Sequence, residues 1–437
     1  MGQIIVQPGD NLQALVTANP AGTVFLIRGE HHGQSVTPKD DQQFIGEQAV
    51  LVGDGREFAF SGVKGGNGGK RVVLRGLEIR GYTPAAQSAA VRPFGYAHDW
   101  ILEDLSVHDN ANWGVQVDSG WQVRRCLIYR NGTLGVGGGG DALIEDCSIY
   151  GNNTSGADSH WEAGGTKFVY ADGLTIKDCR VFENDGPGIW FDGHTDDAFI
   201  VGNWVEDNRG PGIDWEINGA ALIEGNTCYG NGTDPNWADD YDLGGGGILI
   251  IDSAHVIIRN NVLLDNAGGI GLVDDARSNR SSWPDLEFIE VSGNRIRYAQ
   301  RKHGVAIASG RPALSSSVVF QNNQYEVTPS RVGFRVGDVS MNLAGWTQRY
   351  PTDKLYEQPV EPPLVRPAKP VIFGVERSIL WQPVPDADFY RVQVMTDEGW
   401  LTFADTEQHE ITVGARGRYR LRAMNGAGGS AWTTLLV

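Results

Sequence analysis

Seven asparagines recur through the middle of this chain with matching neighbours: Asn110, Asn131, Asn152, Asn184, Asn208, Asn231 and Asn266. Their successive spacings are 21, 21, 32, 24, 23 and 35 residues, a basic period of 21 to 24 that carries two insertions. Five residues before six of them runs a second column, Cys126, Cys147, Cys179, Asn203, Asn226 and Asn261. A period in that range belongs to stacked repeats, in which each unit buries its apolar face only against its neighbours. The units "LTIKDCRVFENDGPGIWFD", "FIVGNWVEDNRGPGIDWEI" and "VIIRNNVLLDNAGGIGLVD" hold short β-branched runs broken by Asn, Asp and Gly, with no helical periodicity. Each therefore predicts a coil of strands. Asparagines at one position of successive coils would form a ladder that satisfies side-chain amides along the stack. The reading is an all-β parallel β-helix.

Over residues 20–340 this pattern resembles the right-handed parallel β-helix superfamily of pectate lyases, polygalacturonases, alginate lyases, mannuronan epimerases and phage tailspikes. The resemblance implies a right-handed solenoid that meets polysaccharide on its outer face. It does not select a chemistry, because that superfamily holds hydrolases, lyases, epimerases and plain binders.

Composition fits this class. Gly supplies 59 of 437 residues, about twice the usual ~7%, as many tight corners require. Thirty-six basic against 54 acidic residues leave a net charge of −18, which argues against nucleic acid or an anionic membrane as partner. Four cysteines in so long a chain do not make a disulfide framework. Cys126, Cys147 and Cys179 share one ladder position and read as stacked core thiols. Metal-ligand spacing is absent, and no apolar run is long enough to span a membrane. The start, "MGQIIVQPGDNLQALVTANPAGTVFLI", has neither a basic n-region nor a long apolar h-region, so it does not read as a signal peptide. Its segment Asp10–Ala18 reads as a short helix, capped by Asp10, that closes the open end of the stack.

Three parts are expected: a β-helix over 1–345, a proline-rich linker over 346–369, and a small β-sandwich over 370–437. The linker run "RYPTDKLYEQPVEPPLVRPAKP" holds six prolines. Beyond it, "ILWQPVPDADFYRVQVM" and "GRYRLRAMNGAGGSAW" resemble a fibronectin type III module. Trp381, Tyr390 and Tyr419 match that module's core Trp, strand Tyr and corner Tyr. Such a module serves as a spacer or adhesion domain.

Candidate chemistry sits on the coils. Aligned on Gly165, Gly188, Gly212, Gly247 and Gly269, the first and third following residues point inward and the second and fourth outward. Outward positions collect Lys167, Trp190, Asp192, Asp214 and Glu216, with Gln116 and Asp118 from an earlier coil. Asp192 and Glu216 fall in one column on adjacent rungs, ~4.8 Å apart at the backbone. Two such charges repel by roughly 3 kcal/mol at an effective dielectric near 20, so Lys167, a shared proton, a cation or a ligand must offset them. The insertions "NTSGADSHWEA" and "GTDPNWADDYDLG" are expected to stand about three rungs apart, roughly 14 Å, as the walls of a groove. His160 and Trp161 would face it from one wall, Trp237 and Tyr241 from the other, over Trp190 on the floor. Aromatic rings of this kind stack on sugar faces.

Three readings follow. Asp192, Asp214 and Glu216 would hydrolyse a glycosidic bond as paired carboxylates, with Lys167 tuning them and no cofactor required. This clustering resembles that of polygalacturonases, but their Asn-Thr-Asp and Arg-Ile-Lys motifs are missing. Alternatively, Lys167 or His160 would act as base in β-elimination from a uronate, with Ca²⁺ held by the carboxylates. Thirdly, a signal-less β-helix joined to an adhesion module suits a phage tail protein that only binds a cell-surface glycan, in an extracellular or virion setting. Homo-oligomers or other virion proteins are the partners that last reading implies. Two glycine runs do not read as nucleotide loops: "GGNGGK" at 65–70 lacks the Lys-Ser/Thr ending of a phosphate loop and reads as a simple turn, and "GVGGGGD" at 135–141 has no helix after it, which argues against a dinucleotide role.

Overall fold

The computed structural model of the protein describes residues 3–63, 69–95, 97–234, 237, 246–274, 286–297, 306–309, 317–327, 329, 332–337 and 339–356 of a first unit. In a second unit it describes 372–375, 378–381, 387, 389–396, 399–408, 410–412, 418–425, 428–429 and 433–436. The two compact units are Met1–Tyr356 and Glu357–Val437. The helical stack expected from the asparagine period is the first of them.

Its coils lay down two long sheets, one of 23 strands and one of 12. Val24–His32, Gln43–Val52 and Val73–Arg80 each run across a corner. From the next coil on, that path divides into two short strands, such as Ile101–Glu103 and Ser106–His108. The 12-stranded sheet forms a separate face. Coil-to-coil pairing is parallel and in register, for example Ile189↔Ile213 and Asp192↔Glu216. Inward columns of Val115, Val136, Thr166, Ile189, Ile213 and Ile248 are wholly buried. The apolar members of that column fill the core, and rings such as Trp100 and Trp121 stack there at 4.7 Å.

The asparagine ladder is continuous. Each Nδ2 donates to the Oδ1 of the next coil's asparagine, at 2.9 Å for Asn110–Asn131, 2.8 Å for Asn184–Asn208 and 2.9 Å for Asn208–Asn231. That same Oδ1 also accepts the backbone N–H of the preceding coil's asparagine. In the second column the backbone N–H of Cys126 and of Cys147 reaches the next sulfur, and Cys179 passes the ladder on to Asn203. All four cysteines are free and buried, and burial holds the Cys126 and Cys179 thiols far above their usual range. The column runs past Asn261 through Asn294 and Asn323 to Asp353. Asp353 ends it as a carboxylate that also accepts from Tyr325 and Trp346.

Both ends are closed by short helices. The first spans Leu12–Ala18 and buries Leu12 and Val16, but its N-cap is Asn11, whose side chain accepts from Ala14 N. Asp10 instead accepts from Gln7 N, so the cap sits one residue later than expected. The second spans Leu343–Arg349 and buries Leu343 and Trp346. Beyond it, Lys354–Leu355 pairs with Gln324–Tyr325. Residues 346–356, placed in the proline-rich linker by sequence, therefore finish the solenoid.

The second unit has a three-stranded antiparallel sheet, with Ser378–Trp381 between Ile372–Val375 and Glu410–Thr412. A second antiparallel sheet is built on Phe389–Thr396 and Arg418–Asn425. Ile379, Tyr390, Val392, Tyr419, Leu421 and Ala423 form its core. A fully buried Arg391 forms two bonds of 3.1 Å to Asp405. The side chain of Trp381 lies outside the described residues.

Replacing Asn208 by Leu would take the acceptor from the Asn184 N–H and one partner each from the Asn184 amide, the Val181 carbonyl and the Asn231 Oδ1. We predict a loss of about 3 kcal/mol, the cost of orphaning buried polar groups, read as a lower urea midpoint. A loss under about 1 kcal/mol would refute the ladder's role.

Candidate functional site

The 12-stranded sheet carries the outward columns. Register places Gln116, Gly137, Lys167, Trp190 and Asp214 on five successive rungs of one column, with Asp192 and Glu216 paired in another. The alternation read from the sequence is thus the alternation of the sheet.

Lys167 is the hub. Its Nζ lies 2.8 Å from Asp192 Oδ2 and 3.8 Å from the centroid of the Trp190 ring. It also donates to the backbone carbonyl of Trp161, and the Trp161 ring lies 5.3 Å away. Lys167 is 9% exposed, so this ammonium exchanges most of its water for a carboxylate, a carbonyl and an aromatic face. Those contacts tie the first insertion to the sheet. A second tether runs from Trp113 Nε1 to Glu162 Oε1 at 2.7 Å.

The two insertions do not stand apart as walls. His160 stacks on Trp237 at 4.1 Å, Trp237 Nε1 donates to Ser159 Oγ at 3.0 Å, and Trp237 meets the Trp190 ring edge-on at 6.4 Å. The residues beneath are consequently covered. Trp190 is 2% exposed, Asp214 0%, Glu216 9% and Trp237 4%. An open floor with Trp190 and three accessible carboxylates is therefore not what forms; ring-on-ring contact between the insertions buries that part of the columns. Tyr241, with Asp239, Asp240 and Asp242, lies outside the described residues.

The open cavity lies beside this junction, toward the N-terminal coils, with a volume of about 630 Å³. Gln116, Asp118, Trp161, Lys167 and Asp192 line it, while Trp190, His160, Trp237, Asp214 and Glu216 do not. Glu162 and Tyr170 join it, as do Trp113, Gln87 and the turn Gly138–Gly140. Sequence reasoning missed these. Trp161 and Tyr170 are exposed by 65% and 66%, and Tyr170 stacks on His194 at 4.8 Å.

One signal for this floor was present in "GVGGGGD": glycines inside a strand mark a close approach of other groups. A Cβ on Gly138 would lie 2.2 Å from the Val117 carbonyl, and one on Gly137 would lie 2.7 Å from the Trp113 ring. Three carboxylates, Asp118, Glu162 and Asp192, thus share one concave surface with a single amine. Among the described residues no group of three or more His, Cys, Asp or Glu side chains is placed to hold a metal ion. No described helix is long and apolar enough to cross a membrane.

Comparison with known proteins bears on the fold. XylC in complex with xylose superposes with a TM-score of 0.60 at 10% identity, covering 100% of both chains. The A-module of Azotobacter vinelandii mannuronan C-5 epimerase AlgE4 gives 0.50 at 13% identity, covering 79% of this chain and 92% of that one. A search of the curated proteins gives no match. The family described as the right handed beta helix region matches residues 94–234 and 216–343, together more than half of the chain. By that match and by its parallel, ladder-bound coils, the chain belongs to the right-handed β-helix family.

Proposed function

We propose that this protein binds a neutral polysaccharide in the cavity above Gly138–Gly140 and hydrolyses it with the carboxylates of that cavity. The observation that carries the reading is the lining itself, with Asp118, Glu162 and Asp192 against Lys167. Its polar groups converge in a space of the size that encloses small ligands. An excess of two carboxylates repels a polyuronate and suits paired-carboxylate hydrolysis of an uncharged chain. Asp192, oriented by its Lys167 bond, is the nucleophile or base, and the acid comes from Asp118 or Glu162. Trp161 and Tyr170 offer faces to pyranose rings. Xylose in the XylC complex supports a carbohydrate ligand on such a scaffold. A polysaccharide substrate places the protein at work outside the cell or on a virion.

Two other readings remain as outcomes of the test, a Ca²⁺-dependent lyase and a glycan binder without turnover. On a panel of neutral and acidic polysaccharides, hydrolysis releases reducing ends without unsaturated product and is indifferent to EDTA. Unsaturated product that EDTA abolishes would replace the hydrolase with a lyase, and binding without turnover would leave a receptor-binding protein.

Two variants sharpen this. Asp192→Asn is expected to cut turnover on the order of 10³-fold while glycan affinity holds; unchanged turnover would remove Asp192 from the chemistry. Lys167→Met breaks a pair whose side chains are 10% and 25% exposed. It is expected to cost about 2 kcal/mol, below the 3–5 of a fully buried pair. Thermal unfolding should show part of that loss restored in the Lys167→Met/Asp192→Asn double variant, and no restoration would mean the pair is not coupled.

A further inference from the structure

The cavity has a dead end. Its lining begins on the coil that holds Ala89–Arg92, where Gln87 and Pro93 flank it, and stops at Asp192 on Ile189–Asp192. That span is five rungs, or roughly 19 Å at ~4.8 Å per rung, and it runs along the solenoid axis. Between Gln116 and Lys167 the outward lane stays low, because Gly137 brings no side chain and the Trp113 ring lies in that space as part of the floor. Past Asp192 the lane is shut. The next outward residues, Asp214 and Glu216, are covered, and the His160–Trp237 stack stands on Trp190. The exposed rim, Gln87, Trp161 and Tyr170, lies on the near side of that wall.

Resting on the hydrolase reading above, we infer that the protein takes its glycan end-on and removes units from a chain terminus. The terminal sugar sits against Lys167, Asp192 and Trp161, behind which the His160–Trp237 stack stands, and the chain leaves over Trp113 and Gly138–Gly140 toward Gln87. Lys167 and Asp192, the last lining groups before the wall, then meet the linkage next to the terminus. Water splits that linkage: its hydroxyl goes to the anomeric carbon and its proton to the departing oxygen.

The test uses the full chain and hexasaccharides of several neutral backbones, free or carrying a bulky cap at one terminus. Fluorescence anisotropy with Asp192→Asn reads binding, and wild-type product sizes read cleavage. A cap at one particular terminus should weaken binding at least tenfold, and products should be mono- or disaccharide only. Equal binding of both capped forms, or a ladder of internal fragments, would overturn the end-on mode while leaving hydrolysis standing. End-selective binding without any product would keep the end-on site and remove hydrolysis. No binding to any backbone would overturn both. Trp237→Ala, and separately His160→Ala, should open the wall: the capped form should regain affinity and internal fragments should appear. If both folded variants keep the wild-type pattern, the wall does not set the mode.

Discussion

The stack depends on a bond between unlike partners, the side chain of an asparagine and the backbone of the preceding coil's corner. Asn208 shows the arrangement. Its amide donates to the Val181 carbonyl and to Asn231, while its Oδ1 receives the Asn184 N–H and amide. Buried corners of this kind would otherwise leave polar groups without partners, at a cost each coil could not bear alone. The glycine four residues later belongs to the same device. A Cβ on Gly188 would fall 2.9 Å from Asn208 Nδ2 and 2.7 Å from the Gly212 carbonyl, and the same crowding recurs at Gly135 and Gly212. Asn and Gly are therefore one structural unit repeated up the solenoid.

On that frame a short segment of one face becomes chemically distinct. Alternation sends every second side chain outward, and outward groups are free to vary because the core does not need them. Lys167 uses this freedom to join sheet, loop and carboxylate at one point. Later rungs fill the same columns with Leu249, Ile251 and Val273, a small apolar cluster of its own. The run of polar outward residues that begins at Gln116 is thereby interrupted after Asp214 and Glu216.

Much of this was legible in the chain, for reasons specific to repeats. Ladder positions announce themselves by identity, and register follows from them, so Asp192 and Glu216 could be paired without coordinates. The C-terminal continuation through Asn294, Asn323 and Asp353 was harder to read, since an Asp ends the asparagine column and its coil contains a helix. Residues 346–356 resembled linker because they run into the proline-rich stretch that follows; their role as an end cap rests on Trp346 and Asp353, which meet only after folding.

Sequence alone determined the solenoid, the two ladders and which residues face out, because each follows from contacts repeated at a fixed period between neighbouring coils. Tertiary structure decided which outward residues meet solvent. The insertions have no counterpart in adjacent coils, so their placement follows from single contacts: His160 on Trp237, Trp113 with Glu162, Lys167 with the Trp161 carbonyl. Those contacts cover Trp190 and leave Asp118, Glu162 and Asp192 around an open cavity, while Asp214 is buried outside it. A periodic pattern encodes the scaffold; unrepeated contacts, which no period predicts, shape the site.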